Sequence, residues 1–231
     1  MATVAGQIAS KKAAQNRGNL MNLVPQFNDK MRYLETSDIV DFMSPEVTNL
    51  SYVIRANSVD EIDFIKNAFE YVRDKISHSA DITGKKVTCS ASEVLAAKEG
   101  ICYAKSHLLA AILRRNLIPT GFCYQRLILN DETAPYLVLH GLNAVYIEKI
   151  GKWIRIDARG NKPGVDARFS LEREYLAFPV RVEMGEENIP TIFAEPDKNV
   201  VQALTCNKNF DALWAGLPSD LYSEVPPWRH K

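Results

Sequence analysis

The sequence SASEVLAAKEGICYAKSHLLAAILRR spans residues 90–115 and contains a glycine, Gly100, two positions before a cysteine, Cys102. Good helix-forming residues follow the cysteine as far as Arg115, so the pattern predicts a helix that begins at about Cys102. At a helix start, unpaired backbone N–H groups and the positive end of the helix dipole favour an anion. The sequence therefore predicts a sulfur at position 102 that readily becomes a thiolate.

A histidine and an aspartate follow on predicted strands. His140 lies 38 positions after Cys102, and Asp157 lies 17 positions after His140. An unpaired imidazole on an apolar strand would be costly, so we expect both side chains to have buried partners. A thiolate, an imidazole that holds the proton and a carboxylate that orients the imidazole together form a set for nucleophilic catalysis. The three residues are therefore candidates for one site.

The strands that carry His140 and Asp157 are predicted to form a hairpin around Ile150-Gly151. A two-residue turn at this point would leave the two side chains roughly 13 Å apart along the strand. If the two side chains are in contact, the hairpin needs either a tighter turn at Glu148-Lys149 or a bulge at Gly141.

Other polar residues compete for roles near Cys102. His107 lies five residues later, about 140° around an ideal helix, and is expected to face elsewhere. His78 ends an upstream helix and is expected to cap it or to support the site from a distance. The backbone N–H of Cys102 is a natural oxyanion donor. The second donor has three polar candidates: Tyr103, Tyr124 and Gln125.

Composition excludes several classes of protein. The 231-residue chain has 28 basic and 28 acidic residues, so it lacks the positive charge of a nucleic-acid or anionic-membrane binder. Its four cysteines form no C-x-x-C pair, which argues against a zinc site or a disulfide framework and favours a reducing cytosol. Residues 1–10 are not an apolar signal sequence, and the longest apolar run, residues 108–113, is too short to span a bilayer. We expect a cytoplasmic protein that binds neither nucleic acid nor membranes.

The rest of the chain is predicted to form one core with an appended segment. Residues 1–57 are predicted as an N-terminal segment with strands, among them residues 50–55, packed on a core of residues 58–231 with a C-terminal extension. A helix is predicted from Ser58, with Glu61 as its capping-box partner. Further elements are predicted as a strand at residues 176–183 and helices at residues 200–204 and 210–214.

These features resemble the transglutaminase-like superfamily, whose core is a papain-like fold for thiol acyl transfer. The likeness rests on the chain order Cys102, His140, Asp157, on the glycine before the cysteine, and on the block of residues 92–114. It extends roughly over residues 71–220. The resemblance implies an α+β fold with a papain-like, transglutaminase-like core, in which the catalytic helix packs on an antiparallel sheet.

The resemblance also implies a function. It makes Cys102 the nucleophile, His140 the acid–base and Asp157 the orienting residue of a catalytic triad. The implied reaction is cysteine-dependent acyl transfer or hydrolysis on a peptide or glutamine-type amide through a thioester, with a peptide or protein as substrate. Water as acceptor would make the enzyme a cysteine protease or amidase, and an amine would make it a transglutaminase-like acyltransferase.

Two other functions fit the same residues. A catalytically inactive transglutaminase-like module would bind a peptide in its cleft, with an unreactive Cys102 and His140 out of reach. A thiol sensor would oxidise Cys102 and would need Cys89 or Cys123 as a resolving thiol. No calcium loop of the D-x-[DN]-x-[DN]-G type occurs, and we expect no metal or other cofactor.

Overall fold

The structure is a computed structural model that describes residues 21–82 and 84–222. The described residues form six α-helices: α1 (Pro45–Ala56), α2 (Glu61–Lys75), α3 (Ala91–Ala97), α4 (Cys102–Arg115), α5 (Lys198–Cys206) and α6 (Phe210–Ala215). They form eight strands: β1 (Val24–Pro25), β2 (Ser77–His78), β3 (Glu99–Gly100), β4 (Thr120–Asn130), β5 (Ala134–Ile147), β6 (Lys152–Ile156), β7 (Glu187–Asn188) and β8 (Thr191–Ile192). Short 3₁₀ helices lie at Lys30–Tyr33, Ser79–Asp81, Glu148–Ile150 and Val182–Met184.

The main sheet has the strand order β6-β5-β4-β7, and its neighbours are antiparallel. Two small parallel pairs accompany it, β1 with β8 and β2 with β3. The pairing of β2 with β3 matters for the site because β3 leads directly into the first turn of α4.

Helix α4 is the centre of the fold. Residues 103–114 are all buried, and the helix packs against α1, α2 and α3 as well as against β4 and β5. A helix that is covered on every side belongs to a core. The fold is therefore α+β with a central helix against an antiparallel sheet, as predicted, and α4 begins and ends at the predicted residues.

The predicted strand at residues 50–55 is wrong, because this segment lies in α1. The buried residues of α1 are Val47, Ser51 and Ile54, spaced by four and three positions, which is the helical period. The polar Ser51 hid that period from the sequence reading; its hydroxyl donates to a carbonyl of α4 at 3.1 Å. The division at residue 57 stays a prediction, and residues 1–20 lie outside the described residues.

Two other local predictions also fail. The cap of α2 is Asp60, whose side chain accepts the Asp63 N–H at 2.8 Å, whereas the Ser58 hydroxyl donates to the Ile54 carbonyl. Residues 176–183 form no strand and are irregular up to the 3₁₀ helix Val182–Met184, because their backbone bonds to side chains of the site and of neighbouring loops. The helices predicted near the C-terminus are confirmed as α5 and α6.

The hairpin of β5 and β6 has neither of the two predicted geometries. Its turn covers four residues, 148–151, and ends with Gly151 in the left-handed region at φ +63°. The register pairs Asn143 with Ile156, and β4–β5 pairing is continuous through Gly141, so no bulge lies there. One step further along this register, Asp157 is opposite Leu142 and is therefore a diagonal neighbour of His140 on the same face.

Among the helices of the described residues, none combines the length and the apolar character that a membrane crossing needs.

Candidate active site

Cys102 stands at the first residue of α4. The preceding Ile101 has extended backbone angles and supplies no side-chain cap, so the N–H groups of the first turn remain available to a ligand. Gly100 allows the tight approach of β3 to the helix, because a Cβ there would lie 3.0 Å from Thr88 Oγ1 and 3.1 Å from Ala104 Cβ. The half-buried Cys102 thiol therefore lies at the positive end of the central helix dipole, open to one side.

His140 lies on β5 and its imidazole is held from two directions. Nε2 donates to Asp157 Oδ2 at 2.8 Å, and the ring packs edge-on against Phe178 with the ring centres 5.1 Å apart. Cys102 and His140 line the same groove, and the negative charge of Cys102 raises the pKa of His140. Since Nε2 is engaged by the carboxylate, Nδ1 is the ring nitrogen left for the sulfur.

Asp157 is fully buried directly after β6. Besides the imidazole, its carboxylate accepts the backbone N–H of Ala177 at 2.9 Å and that of Arg159 at 3.1 Å. Burial alone would raise the pKa of Asp157, but the charge of His140 and these hydrogen bonds lower it. The carboxylate is thus a fixed negative charge behind the imidazole.

The electrostatics of His140 follow from these neighbours. Burial opposes the imidazolium, but the negative charges of Asp157 and Cys102 and the hydrogen bond to Asp157 raise the pKa of His140 from 6.5 to about 10. Protonated imidazole between a carboxylate and a sulfur is the arrangement that a thiolate–imidazolium pair requires.

The other candidate residues have separate structural roles. His107 is buried on the far side of α4, where its Nδ1 donates to the Cys89 carbonyl at 2.8 Å and burial lowers its pKa to about 4. Each of the candidate second oxyanion donors is also engaged. The Tyr103 hydroxyl donates to the Leu139 carbonyl, the Tyr124 hydroxyl accepts the Asp197 N–H at 2.8 Å, and the Gln125 amide donates to Asn188 at 2.9 Å.

A groove of about 1450 Å³ opens onto Cys102 and His140. Its walls combine apolar side chains of β4 and β5 with charged ones, and His78, Phe178 and Trp214 also line it. This volume exceeds the roughly 300–1,000 Å³ of typical small-molecule pockets.

A partly buried charge cluster, which the sequence does not predict, lies beside the groove. Arg159 is ion-paired with both oxygens of Asp81, and Lys162 donates to the same carboxylate at 2.7 Å. Partial burial opposes the charge on Asp81, but these donors lower its pKa to about 2. The sequence held no signal for the cluster, because 78 residues separate Asp81 from Arg159.

Within the described part of the chain, no group of three His, Cys, Asp or Glu side chains is arranged to hold a metal ion.

The chain was compared with protein-family models, with curated protein sequences and with solved structures. The model of the transglutaminase-like superfamily matches residues 48–158. No curated protein sequence matched the chain. Among solved structures, one named "Putative Cysteine Protease" from Cytophaga hutchinsonii is 19% identical, with a TM-score of 0.47, covering 61% of this chain and 46% of the other. A structure named as a TGase is 17% identical, with a TM-score of 0.38, covering 80% of this chain and 50% of the other.

The chain thus spans about half the length of these two solved proteins. The matched family segment begins within α1 and ends one residue after Asp157. The segment that matches the transglutaminase-like superfamily model, residues 48–158, therefore includes Cys102, His140 and Asp157.

Proposed function

We propose that this protein catalyses cysteine-dependent acyl transfer or hydrolysis on a peptide or glutamine-type amide. Cys102 is the nucleophile, His140 the acid–base and Asp157 the residue that orients His140. One observation carries the proposal: the His140 imidazole is hydrogen-bonded to Asp157 through Nε2, and it lines the same open groove as Cys102, which lies at a helix start.

The resting form is a thiolate–imidazolium pair. A buried imidazole between two neutral groups would lose its proton, whereas here Asp157 and Cys102 raise the pKa of His140. The first-turn N–H groups of α4 and the helix dipole favour the negative charge on Cys102.

In the first step, the Cys102 thiolate attacks the amide carbonyl carbon, a carbon–sulfur bond forms, and the carbonyl electron pair moves to the oxygen. Collapse of this intermediate breaks the carbon–nitrogen bond, and His140 gives its proton to the leaving amine or ammonia. In the second step, His140 removes a proton from water or an amine as it attacks the thioester, the carbon–sulfur bond breaks, and the thiolate is restored.

The acceptor determines the class of reaction. Water yields a carboxylic acid, which is the reaction of a protease or amidase, and an amine yields a new amide. Both acceptors reach the thioester from the groove, so the proposal covers both.

The ion pair is tested by alkylation of each cysteine with iodoacetamide at a series of pH values, read by peptide mass spectrometry. We expect Cys102 to react fast below about pH 7 and to lose this reactivity in His140→Ala. The chain supplies its own controls: Cys89 and Cys123 are buried, which raises the pKa of both thiols to about 12, and Cys206 is an exposed thiol on α5.

Slow alkylation of Cys102 below about pH 7, or equal rates in the wild type and in His140→Ala, would contradict the proposal and favour a peptide-binding module. Acyl transfer itself is tested with glutamine-containing peptides, in the presence and absence of a biotin-labelled primary amine. We expect ammonia release or amine incorporation that is abolished in Cys102→Ala.

A further inference from the structure

The proposed reaction places a negative charge on the carbonyl oxygen, and one donor for it is evident. The N–H of Cys102 is at the first position of α4, where helical N–H groups have no partner in the helix. The Tyr103 hydroxyl donates to the Leu139 carbonyl, and neither Tyr124 nor Gln125 is among the residues that line the groove. A second donor has to come from another element that borders the groove.

His78 borders the groove close to the start of α4. The parallel pairing of β2 with β3 places His78 opposite Gly100, two residues before Cys102. Two strand residues span roughly 7 Å, so a side chain from β2 reaches the start of α4. His78 lines the same groove as Cys102 and His140, and its side chain is mostly buried.

The hydrogen bonding of His78 fixes which nitrogen carries the proton. Nδ1 accepts the N–H of Ala80 at 3.3 Å, so Nδ1 is unprotonated and Nε2 carries the hydrogen of the neutral ring. Among the residues that the structure describes, Nε2 has no hydrogen-bond partner. The ring therefore has one free N–H donor.

The surroundings of His78 keep this ring neutral. Burial lowers its pKa well below the usual range, and the positive charge of Arg159 lowers it further. Asp81 opposes this shift, while Lys105 and His140 add to it. A ring that stays neutral holds the Nε2 hydrogen and does not compete with His140 for the proton of Cys102.

We propose that the Nε2–H group of His78 is the second donor of the oxyanion hole, opposite the backbone N–H of Cys102. The inference rests on the proposed function. His78 donates a hydrogen bond to the oxygen as the carbonyl electron pair moves onto it, and its proton is not transferred.

The test compares two reactions of the same thiol. Alkylation by iodoacetamide is a displacement at a saturated carbon and forms no oxyanion, whereas acetylation by p-nitrophenyl acetate forms one. We measure both rate constants at Cys102 by peptide mass spectrometry in the wild type, in His78→Phe and in His78→Gln. Phenylalanine keeps the ring volume without a donor, and glutamine restores an N–H donor.

We expect the ratio of acetylation to alkylation to fall roughly 10²-fold in His78→Phe, because loss of one oxyanion donor costs about that much. His78→Gln is expected to recover most of the ratio. An unchanged ratio in both variants overturns the role of His78 while leaving the proposed function intact.

Two other outcomes also decide the matter. Equal losses of both rates in both variants assign His78 to the support of the fold and overturn the inference. A wild-type Cys102 that is slow in both reactions removes the proposed function, and the inference with it.

Discussion

Replacing Asp157 with asparagine removes the negative charge behind His140 with little change of volume. The rise in the pKa of His140 from 6.5 to about 10 corresponds to about 5 kcal/mol in favour of the imidazolium. Asp157 contributes more to this rise than Cys102 does, both by its charge and by its hydrogen bond. Loss of the Asp157 charge therefore destabilises the thiolate–imidazolium pair by at least about 2–3 kcal/mol. This corresponds to a roughly 30- to 150-fold decrease in the ratio of the charged pair to the neutral pair.

In Asp157→Asn the orientation of His140 is expected to be kept while its charge is lost. An amide oxygen facing His140 and Ala177 still accepts both N–H groups, so the imidazole keeps its orientation but becomes neutral. The pKa of His140 is therefore lower in Asp157→Asn than in the wild type, and the imidazolium loses its proton at a lower pH. The pair then collapses to a neutral thiol and imidazole over much of the range in which the wild type is charged.

The assay is the iodoacetamide rate constant at Cys102 from about pH 4 to about pH 9, compared between wild type and Asp157→Asn. We expect the rate constant of Asp157→Asn to be about two orders of magnitude lower than that of the wild type at the acidic end of this range, and the difference to become smaller at high pH. Asp166→Asn is the matched control, because Asp166 lines the same groove but is exposed and pairs with Arg168. Equal acid-side rates in Asp157→Asn and wild type would refute the electrostatic reasoning.

Three further substitutions test the packing around the site by urea denaturation. Gly141→Ala is expected to cost about 1–3 kcal/mol, because the new Cβ would lie 2.7 Å from Tyr103 Cδ1. Glu174→Gln is expected to cost about 3 kcal/mol, because it leaves the buried Arg155 without its bidentate partner at 2.6 and 2.8 Å. Lys105→Met is expected to change the pH dependence: burial lowers the pKa of Lys105 to about 7, so the stability of the wild type relative to the variant rises between about pH 7 and 10.5.

Each of these has a matched control. Gly216→Ala should be nearly neutral, since its new Cβ would make an ordinary contact of 3.5 Å. Asp166→Asn breaks an exposed ion pair and should cost less than about 1 kcal/mol. Lys66→Met, on the exposed face of α2, is the control for loss of a lysine outside the core. Equal effects in a substitution and its control would contradict the packing argument for that site.

The sequence was sufficient for the central helix, because its signals are local. Gly100 permits the close approach before Cys102, helix-forming residues continue to Arg115, and Pro119 prevents extension. A capping box at Ser90 and Glu93, which fixes the start of α3, is local in the same way. Propensity and capping act within a few residues, so they are readable without the fold.

The side chains of His140 and Asp157 are held in place by contacts with residues that are distant in the sequence. The backbone N–H of Ala177, which bonds Asp157, comes from a segment predicted as a strand, and Phe178 from the same segment packs on His140. An alternation of apolar residues cannot distinguish a strand from an irregular loop whose N–H groups bond to a carboxylate. Residues 176–183 are irregular because the site uses their backbone.

The hairpin register shows why the sequence predicts the wrong geometry for His140 and Asp157, although the two side chains are hydrogen-bonded. The sequence allows two-residue turns at two places between β5 and β6, and a shift from one to the other changes the offset between His140 and Asp157 by whole residue pairs. The actual four-residue turn, with a 3₁₀ segment before Gly151, sets the register midway between them. In this register His140 and Asp157 contact each other diagonally across the two strands, and no bulge at Gly141 is needed. Gly141 instead leaves room for the ring of Tyr103, which packs against β5.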